Sequence, residues 1–422
     1  MNMALSADIE ETLWKAAVRG LRHRFRQNVI PRTQARAYLT QLRHEVNAVL
    51  KAGSGSHFLA AAELVEYLRQ HKYGIGPGHG LLTASLLAYA LGIHAVDPIR
   101  FGLIFELFYR TGGVPRFSLN VCPDGYAAAK NYLCDKYGAA RIAWDGYGVF
   151  SSLLVSICPL ANCMKIIGRR SDFPVVDWGR HSNLSFIQLC IQIVPSLLLG
   201  RISRTWWKVR DAYGEDMKHI DTRFEDYVLG AEVWIDGSGL ADLHAEMTEL
   251  GVRAEPFIRF GVIRNIDEAV LAFYLGYTKS CEHTDLLINR YLSDRESLPW
   301  DGEAESWQRK FLGETCGLLV YQEQIIRMLS AFGGLSLADA IETRRKLNSG
   351  DGEYIRTCRA AFVDHATTQG HSAGFSGEFF DFMCYRNQYC FPKAGLIGPT
   401  LLLYQAVTLK GMWETDWQGS LC

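Results

Sequence analysis

The sequence predicts an α+β fold, and three observations carry the prediction. Residues 7–50 repeat apolar side chains at three- and four-residue spacing, the period of a helix with one buried face. Short apolar runs at 115–121 and 186–199 are bounded by proline, glycine or serine and read as strands. From Asn265 to Gln405 the helical period returns, broken at Gly333-Gly334, at 348–352 and at 368–377, where glycine and polar residues interrupt helices. The chain has 422 residues, 48% hydrophobic and 21% charged, enough for one large core or for two to three domains. The expected division is a helical region over 1–55, a mixed domain over 56–264 and a helical domain over 265–422.

Taken in order, the first helical region ends in the loop Ala52-Gly-Ser-Gly-Ser56, and a helix follows over 57–71. Next comes the turn Gly74-Ile-Gly-Pro-Gly-His-Gly80 and a helix over 83–91. A glycine-rich turn that opens a helix aims backbone N–H groups outward and can seat a phosphate; an ordinary tight turn has the same composition. Helices flank the strand at 115–121. Residues 205–256 are mixed and polar.

Charge gives a local signal only. The net charge is −1, so any nucleic-acid contact needs a patch. Residues 19–44 supply one: Arg19, Arg22, Arg24, Arg26, Arg32, Arg36 and Arg43, with no acidic residue among them. Such a block is a solvated face or a phosphate-facing one. Eleven cysteines are scattered with no CxxC pair, which favours reduced thiols and a cytoplasmic protein over zinc ribbons or disulfides. The N-terminus lacks a basic, then apolar, leader. The apolar windows 149–167 and 184–200 contain proline, asparagine or glutamine and read as core, not as membrane spans.

Several segments, in order, resemble the bacterial DNA polymerase III alpha subunit. The turn 74–80 is similar to the family's GPGRGSGAGS. Asp97-Pro-Ile-Arg-Phe-Gly-Leu-Ile-Phe-Glu106 is similar to LDPLRFGLLFERF, and Asp135-Lys-Tyr-Gly138 to EKYG. Glu314-Thr-Cys-Gly-Leu-Leu-Val-Tyr-Gln-Glu-Gln324 resembles ETYGVIVYQEQ. Arg344-Arg345, Tyr389-Cys-Phe-Pro-Lys-Ala394 and Tyr404-Gln405 resemble LRRAMGKK, YGFNKSH and SYQTAWLKAHYP. The resemblance implies a nucleotidyltransferase-like palm with a helical thumb and helical fingers. It extends to those three parts only, without the family's N-terminal phosphoesterase-like domain or its C-terminal helix-hairpin-helix and OB-fold parts. It also implies DNA binding, DNA replication and Mg²⁺ held by aspartates. Gly76, Gly78, His79, Gly80, Ser85, Arg344, Arg345 and Lys393 are carried over as the nucleotide-binding remnant.

The metal-binding motif departs from the family. Where the family reads P-D-F-D-x-D, this chain reads Pro115-Arg-Phe-Ser-Leu-Asn120. Two carboxylates at i and i+2 of a strand point the same way and can share metals; here those places hold Arg116, Ser118 and Asn120. A looser alignment puts Leu197 at the third aspartate. Mg²⁺ prefers carboxylate oxygens, so no cofactor is expected. The resemblance therefore implies a polymerase-like protein without catalysis, binding nucleic acid through the N-terminal arginines, a nucleotide, or a protein partner, and no membrane. Two alternatives stay open. One is an enzyme with new chemistry in the old cleft, drawing on His79, Ser118, Asp124 and Asp97. The other is a working DNA polymerase using displaced carboxylates such as Asp124 or Glu106.

Overall fold

The apolar period of the N-terminus becomes helices with one buried stripe. In α1 (Asn2–Arg26) Leu13, Ala17 and Leu21 are 0–1% exposed, a four-residue repeat that faces the core. Gly20 lies on that helix where a Cβ would sit 1.8 Å from the carbonyl oxygen of Ala90, so only glycine allows the contact. In α2 (Ala35–Lys51) Tyr38, Leu42, Val46 and Val49 turn inward, and α3 (Gly55–Gln70) buries Phe58, Ala61, Leu64, Val65 and Leu68. The computed structural model describes residues 2–109, 114–145, 152–156, 166–170, 172–176, 187–213, 244–261, 263–278, 281–297 and 309–420. Much of the polar 205–256 stretch lies outside these residues.

The chain divides into two compact units. The first comprises residues 1–101, 108–233 and 397–422, and the second comprises 102–107 and 234–396. The first unit thus holds the 1–55 region together with the sheet, and it also takes in the C-terminal segment 397–422.

In the first unit a 3-10 turn at Gly80–Ala84 leads to α4 (Leu86–Ala90). After the short α5 (Phe105–Phe108), whose first three residues belong to the second unit, come β1 (Arg116–Val121) and α6 (Pro123–Tyr137). The strands β2 (Ile142–Asp145), β3 (Leu153–Ser156), β4 (Ile166–Arg170), β5 (Phe173–Val176) and β6 (Ile187–Pro195) precede α7 (Leu197–Tyr213). The sheet order is β1-β6-β3-β2-β5-β4. The pairs β1–β6 and β2–β5 are parallel, and the remaining pairs are antiparallel. Beneath β1, Phe117 meets Phe58 edge to face at 5.1 Å between centroids, with Phe108 and Tyr109 close by. Edge-to-face pairs add to the area such rings bury. The apolar run read as strand over 186–199 stops earlier: Pro195 ends β6, and the hydroxyl of Ser196 accepts from the Leu199 N–H at 3.1 Å to start α7.

The second unit is helical, with helices at Ile266–Tyr277, Cys281–Ser297, Gln322–Gly333, Leu337–Leu347, Gly352–Thr368 and Ala373–Asn387 among its described residues. Leu319, Ile325, Met328, Phe332, Phe362 and Phe380 are central in its core. The breaks fall where glycine and polar residues predicted them. Gly334 takes φ +66° after Gly333, and the Asp351 carboxylate caps the next helix by accepting from the N–H groups of Glu353 and Tyr354. Among the described residues no helix is long and apolar enough to cross a membrane.

Candidate functional site

The strand alternation of β1 places Arg116, Ser118 and Asn120 on one face, while Phe117, Leu119 and Val121 on the other are at most 2% exposed. The glycine turn lies along the end of this strand. Gly76 N–H donates to the Asn120 carbonyl at 2.8 Å, and Cys122 N–H donates to the Gly74 carbonyl at 2.9 Å. A Cβ on Gly76 would stand 3.0 Å from Asn120 Cβ, so a bare backbone is what fits there. The turn and the degenerate strand therefore meet as the sequence predicts. Further along, Gly78 is pressed against the helix Ala394–Met412, where a Cβ on Gly398 would fall 2.0 Å from the Gly78 carbonyl oxygen.

The centre of the face is a hydrogen-bonded chain. His79 Nδ1 stands 2.6 Å from Ser118 Oγ, and Ser118 Oγ donates to Gln192 Oε1 at 3.1 Å. Gln192 is opposite Ser118 in the parallel β1–β6 register. A hydroxyl carries one proton. With that proton on the amide carbonyl, the tautomer that satisfies Oγ is the one with a hydrogen on Nδ1. Burial lowers the His79 pKa, which keeps the ring neutral. In this tautomer the imidazole holds the serine hydroxyl in place.

The other carboxylates read as candidates have local duties. Asp124 is exposed in the first turn of α6, next to Pro123, where a negative charge suits the helix dipole. Asp97 is buried and accepts from Tyr38 Oη at 2.5 Å and from the N–H groups of Ile99 and Arg100; burial raises its pKa. Glu106 lies in α5.

Leu197 needs correction. It is the first residue of α7, not a strand residue, and is 72% exposed. The residue that faces Ser118 from the neighbouring strand is Gln192. Gln188 and Gln192 are the polar residues of an otherwise apolar β6 run ending at Pro195, and that was the signal available for finding it.

The residues carried over as the nucleotide-binding remnant belong to both units. Ser85 is fully buried. Its hydroxyl donates to Glu45 at 3.0 Å and caps α4 by accepting from Ala88 N–H, so it faces the interior. Glu45 also accepts from Leu86 and Leu87 N–H at 3.0 and 2.9 Å. Lys393 is 2% exposed in the second unit and donates to Asp267 at 3.2 Å and Glu314 at 2.5 Å. Its ammonium is engaged inside the protein. Arg344 is 8% exposed, bonds Asn387 at 3.4 Å, and has its pKa lowered by burial. Arg345 pairs loosely with Glu342 at 3.8 Å. Gly80 takes φ +61° at the start of the 3-10 turn.

Six of the seven N-terminal arginines are exposed. Arg19, Arg22 and Arg26 share one face of α1 by their three- and four-residue spacing, and Arg36 and Arg43 are seven apart on α2. Arg24 departs from the expectation: it is 4% exposed and lies 3.9 Å above the Tyr89 ring.

Arg116, Ser118 and Asn120 bring no carboxylate to this face. Arg116 brings a cation, and the hydroxyl of Ser118 is committed to Gln192. Asn120 Oδ1, buried without a hydrogen-bond partner, offers a single neutral oxygen. Among the described residues no group of three His, Cys, Asp or Glu side chains is placed to hold a metal.

A mixed sheet with a glycine turn along its edge strand, accompanied by a helical second unit, is the build of a polymerase-like palm with helical domains. Comparison with known proteins narrows this. The family model described as bacterial DNA polymerase III alpha NTPase domain matches residues 11–146, and that of the alpha subunit finger domain matches residues 285–370; together they cover just over half of the chain. The chain belongs to the bacterial DNA polymerase III alpha family. It is similar to DNA polymerase III subunit alpha of Thermus aquaticus, 24% identical over 92% of this chain and 38% of that protein. The Mycoplasma genitalium protein of the same name is 22% identical over 89% of this chain and 51% of its own length. That of Aquifex aeolicus is 32% identical over 52% of this chain and 17% of its own. The chain thus spans about half or less of these relatives.

Proposed function

We propose that this protein is a polymerase-like scaffold without nucleotidyl transfer, which holds nucleic acid by its phosphates and serves DNA replication in the cytoplasm. One observation supports the reading: Ser118 and Gln192 hydrogen-bond each other on the face where the resemblance implies metal-binding carboxylates. Phosphoryl transfer depends on metal ions that neutralise charge in the transition state. Two neutral side chains bonded to each other, with Arg116 on the same face, provide no such ions. The exposed arginines of α1 and α2 support the phosphate-binding half of the reading.

Primer extension with Mg²⁺ or Mn²⁺ tests the first half, using protein freed of host polymerases. No templated incorporation is expected. Incorporation that follows this protein through purification would overturn it, and its loss in Asp124→Asn or Glu106→Gln would assign the activity to those carboxylates. Filter binding of duplex DNA at two salt concentrations tests the second half, with weak, sequence-independent and salt-sensitive binding expected. The His79–Ser118 contact favours a second reading, new chemistry in the old cleft. A serine-directed phosphonate probe would label Ser118 under that reading and leave it unlabelled under ours.

A further inference from the structure

The helices Gly352–Thr368 and Ala373–Asn387 of the second unit form a hairpin joined by residues 369–372. Their side-chain pairs fix the level of one helix against the other. Phe362 meets Phe380 at 5.4 Å and Phe379 at 6.3 Å between ring centroids. Arg359 grips Asp381 with two bonds, Nε to Oδ1 at 2.9 Å and Nη2 to Oδ2 at 3.0 Å. Contacts that step back along the first helix step forward along the second, so the two run antiparallel. Cys358 lies one turn before Phe362, and Cys384 lies one turn after Phe380. The two cysteines therefore stand at one level of the pair, beside the Arg359–Asp381 contact.

Both are free, half-buried thiols, and both pack against the core that holds Phe362 and Phe380. They thus lie on the inner sides of their helices. Axes of packed helices are about 8–10 Å apart, and each Cα lies about 2.3 Å from its axis. Facing positions at one level come within the roughly 7 Å that a disulfide spans. The two side chains also act on each other. Burial first, then Asp381 and Cys358, push the Cys384 thiol up to about 12.

We infer that Cys358 and Cys384 join in a disulfide when the protein meets a peroxide, which staples the two helices together. The thiolate is the reactive form of cysteine. Cys384 stays protonated, so Cys358 reacts first. Its thiolate attacks one peroxide oxygen, the O–O bond breaks, and the departing hydroxide takes up the proton that Cys358 had released. Cys358 is then a sulfenic acid. The sulfur of Cys384 attacks the sulfur of Cys358, the S–O bond breaks, and the hydroxyl leaves as water with the proton of Cys384. Two thiols and one hydrogen peroxide give one disulfide and two waters. Where thiols are kept reduced, such a bond is transient and senses oxidants. Neither cysteine belongs to the palm face or to the residues carried over as the nucleotide-binding remnant, so the inference stands or falls apart from the proposed function.

The test treats the full chain with hydrogen peroxide, blocks the remaining thiols, digests without reductant and maps the peptides by mass spectrometry. A linked pair of peptides bearing Cys358 and Cys384 is expected. The unfolding temperature should rise by about 5–10 °C, as for a bond that closes a loop of this kind, and fall back with dithiothreitol. Cys358→Ser and Cys384→Ser should show no rise. In Cys384→Ser the reaction stops at the sulfenic acid, so dimedone should label Cys358 there and leave it largely unlabelled in wild type. Wild type without the linked pair would overturn the inference, as would an equal temperature rise in Cys384→Ser. A linked pair that leaves the unfolding temperature unchanged would overturn the staple.

Discussion

If Ser118 and Gln192 occupy the places of metal-binding carboxylates, putting carboxylates back should make the fold depend on a divalent cation. The perturbation is the double variant Ser118→Asp, Gln192→Asp. The two side-chain oxygens are 3.1 Å apart in a hydrogen bond; two carboxylates there would swing to about 4 Å and repel by about 4 kcal/mol at an effective dielectric of 20. That equals about three pKa units, so one carboxyl would stay protonated near neutrality. For a unit of this size, roughly 2–4 °C per kcal/mol puts the midpoint of the first unit about 10 °C lower. A cation bridging both groups should restore part of the stability, about 1.4 kcal/mol when its concentration is ten times its Kd. Thermal unfolding followed by circular dichroism, with Mn²⁺ or with chelator, reads both effects. Wild type and each single variant should show no comparable cation response. A double variant equally indifferent to Mn²⁺ would refute the assignment of Gln192. A Ser118→Asp, Leu197→Asp variant that responds instead would return the third position to Leu197.

Three further outcomes follow. Phe58→Ala, which removes a fully buried ring, should lower stability by about 3–5 kcal/mol in urea titration. Arg22→Glu with Arg26→Glu should weaken duplex binding and flatten its salt dependence by about one unit of slope for each phosphate that is no longer neutralised, whereas Arg24→Ala should lower the unfolding temperature and leave that slope nearly unchanged. Glu45, fully buried, has its pKa pushed up to about 7 from 4.5 by burial, against hydrogen bonds that lower it. Because the folded value is the higher one, its contribution to stability is complete below pH 4.5 and is lost as pH rises through about 7, a change of about 3 kcal/mol. Denaturant titrations across that window should show the decline in wild type and a smaller one in Glu45→Gln.

The parts of the fold that were legible rest on local rules. Period-two alternation put Arg116, Ser118 and Asn120 on one face, and the glycines of the turn announced a close backbone approach that Gly76 makes to Asn120. Helix ends in the second unit fell at Gly334 and Asp351 because left-handed glycines and capping carboxylates act within a few residues. The site residues that went astray depend on distant partners. Nothing near Lys393 in the chain says that Asp267 and Glu314 will hold its ammonium. Nothing near Arg24 says that Tyr89 will lie beneath it. Ser85 has the setting of a phosphate loop, yet Glu45, forty residues earlier, draws it inward. Leu197 was placed by counting through a divergent stretch, and the strand register was needed to bring Gln192 opposite Ser118.

Arg116 has a second consequence, which lies in solution behaviour. β1 is the last strand on its side of the described sheet, and the bridge between Ile75 and Val121 covers only its C-terminal end. An open strand edge is a template for pairing with another molecule's strand, and a charged side chain there discourages it. By the same rule, a charge at Arg116 near the start of this edge would hinder copies of the sheet from pairing. Arg116→Val, which favours a strand more strongly, should leave a freshly prepared protein folded but shorten the time for which it stays clear at high concentration.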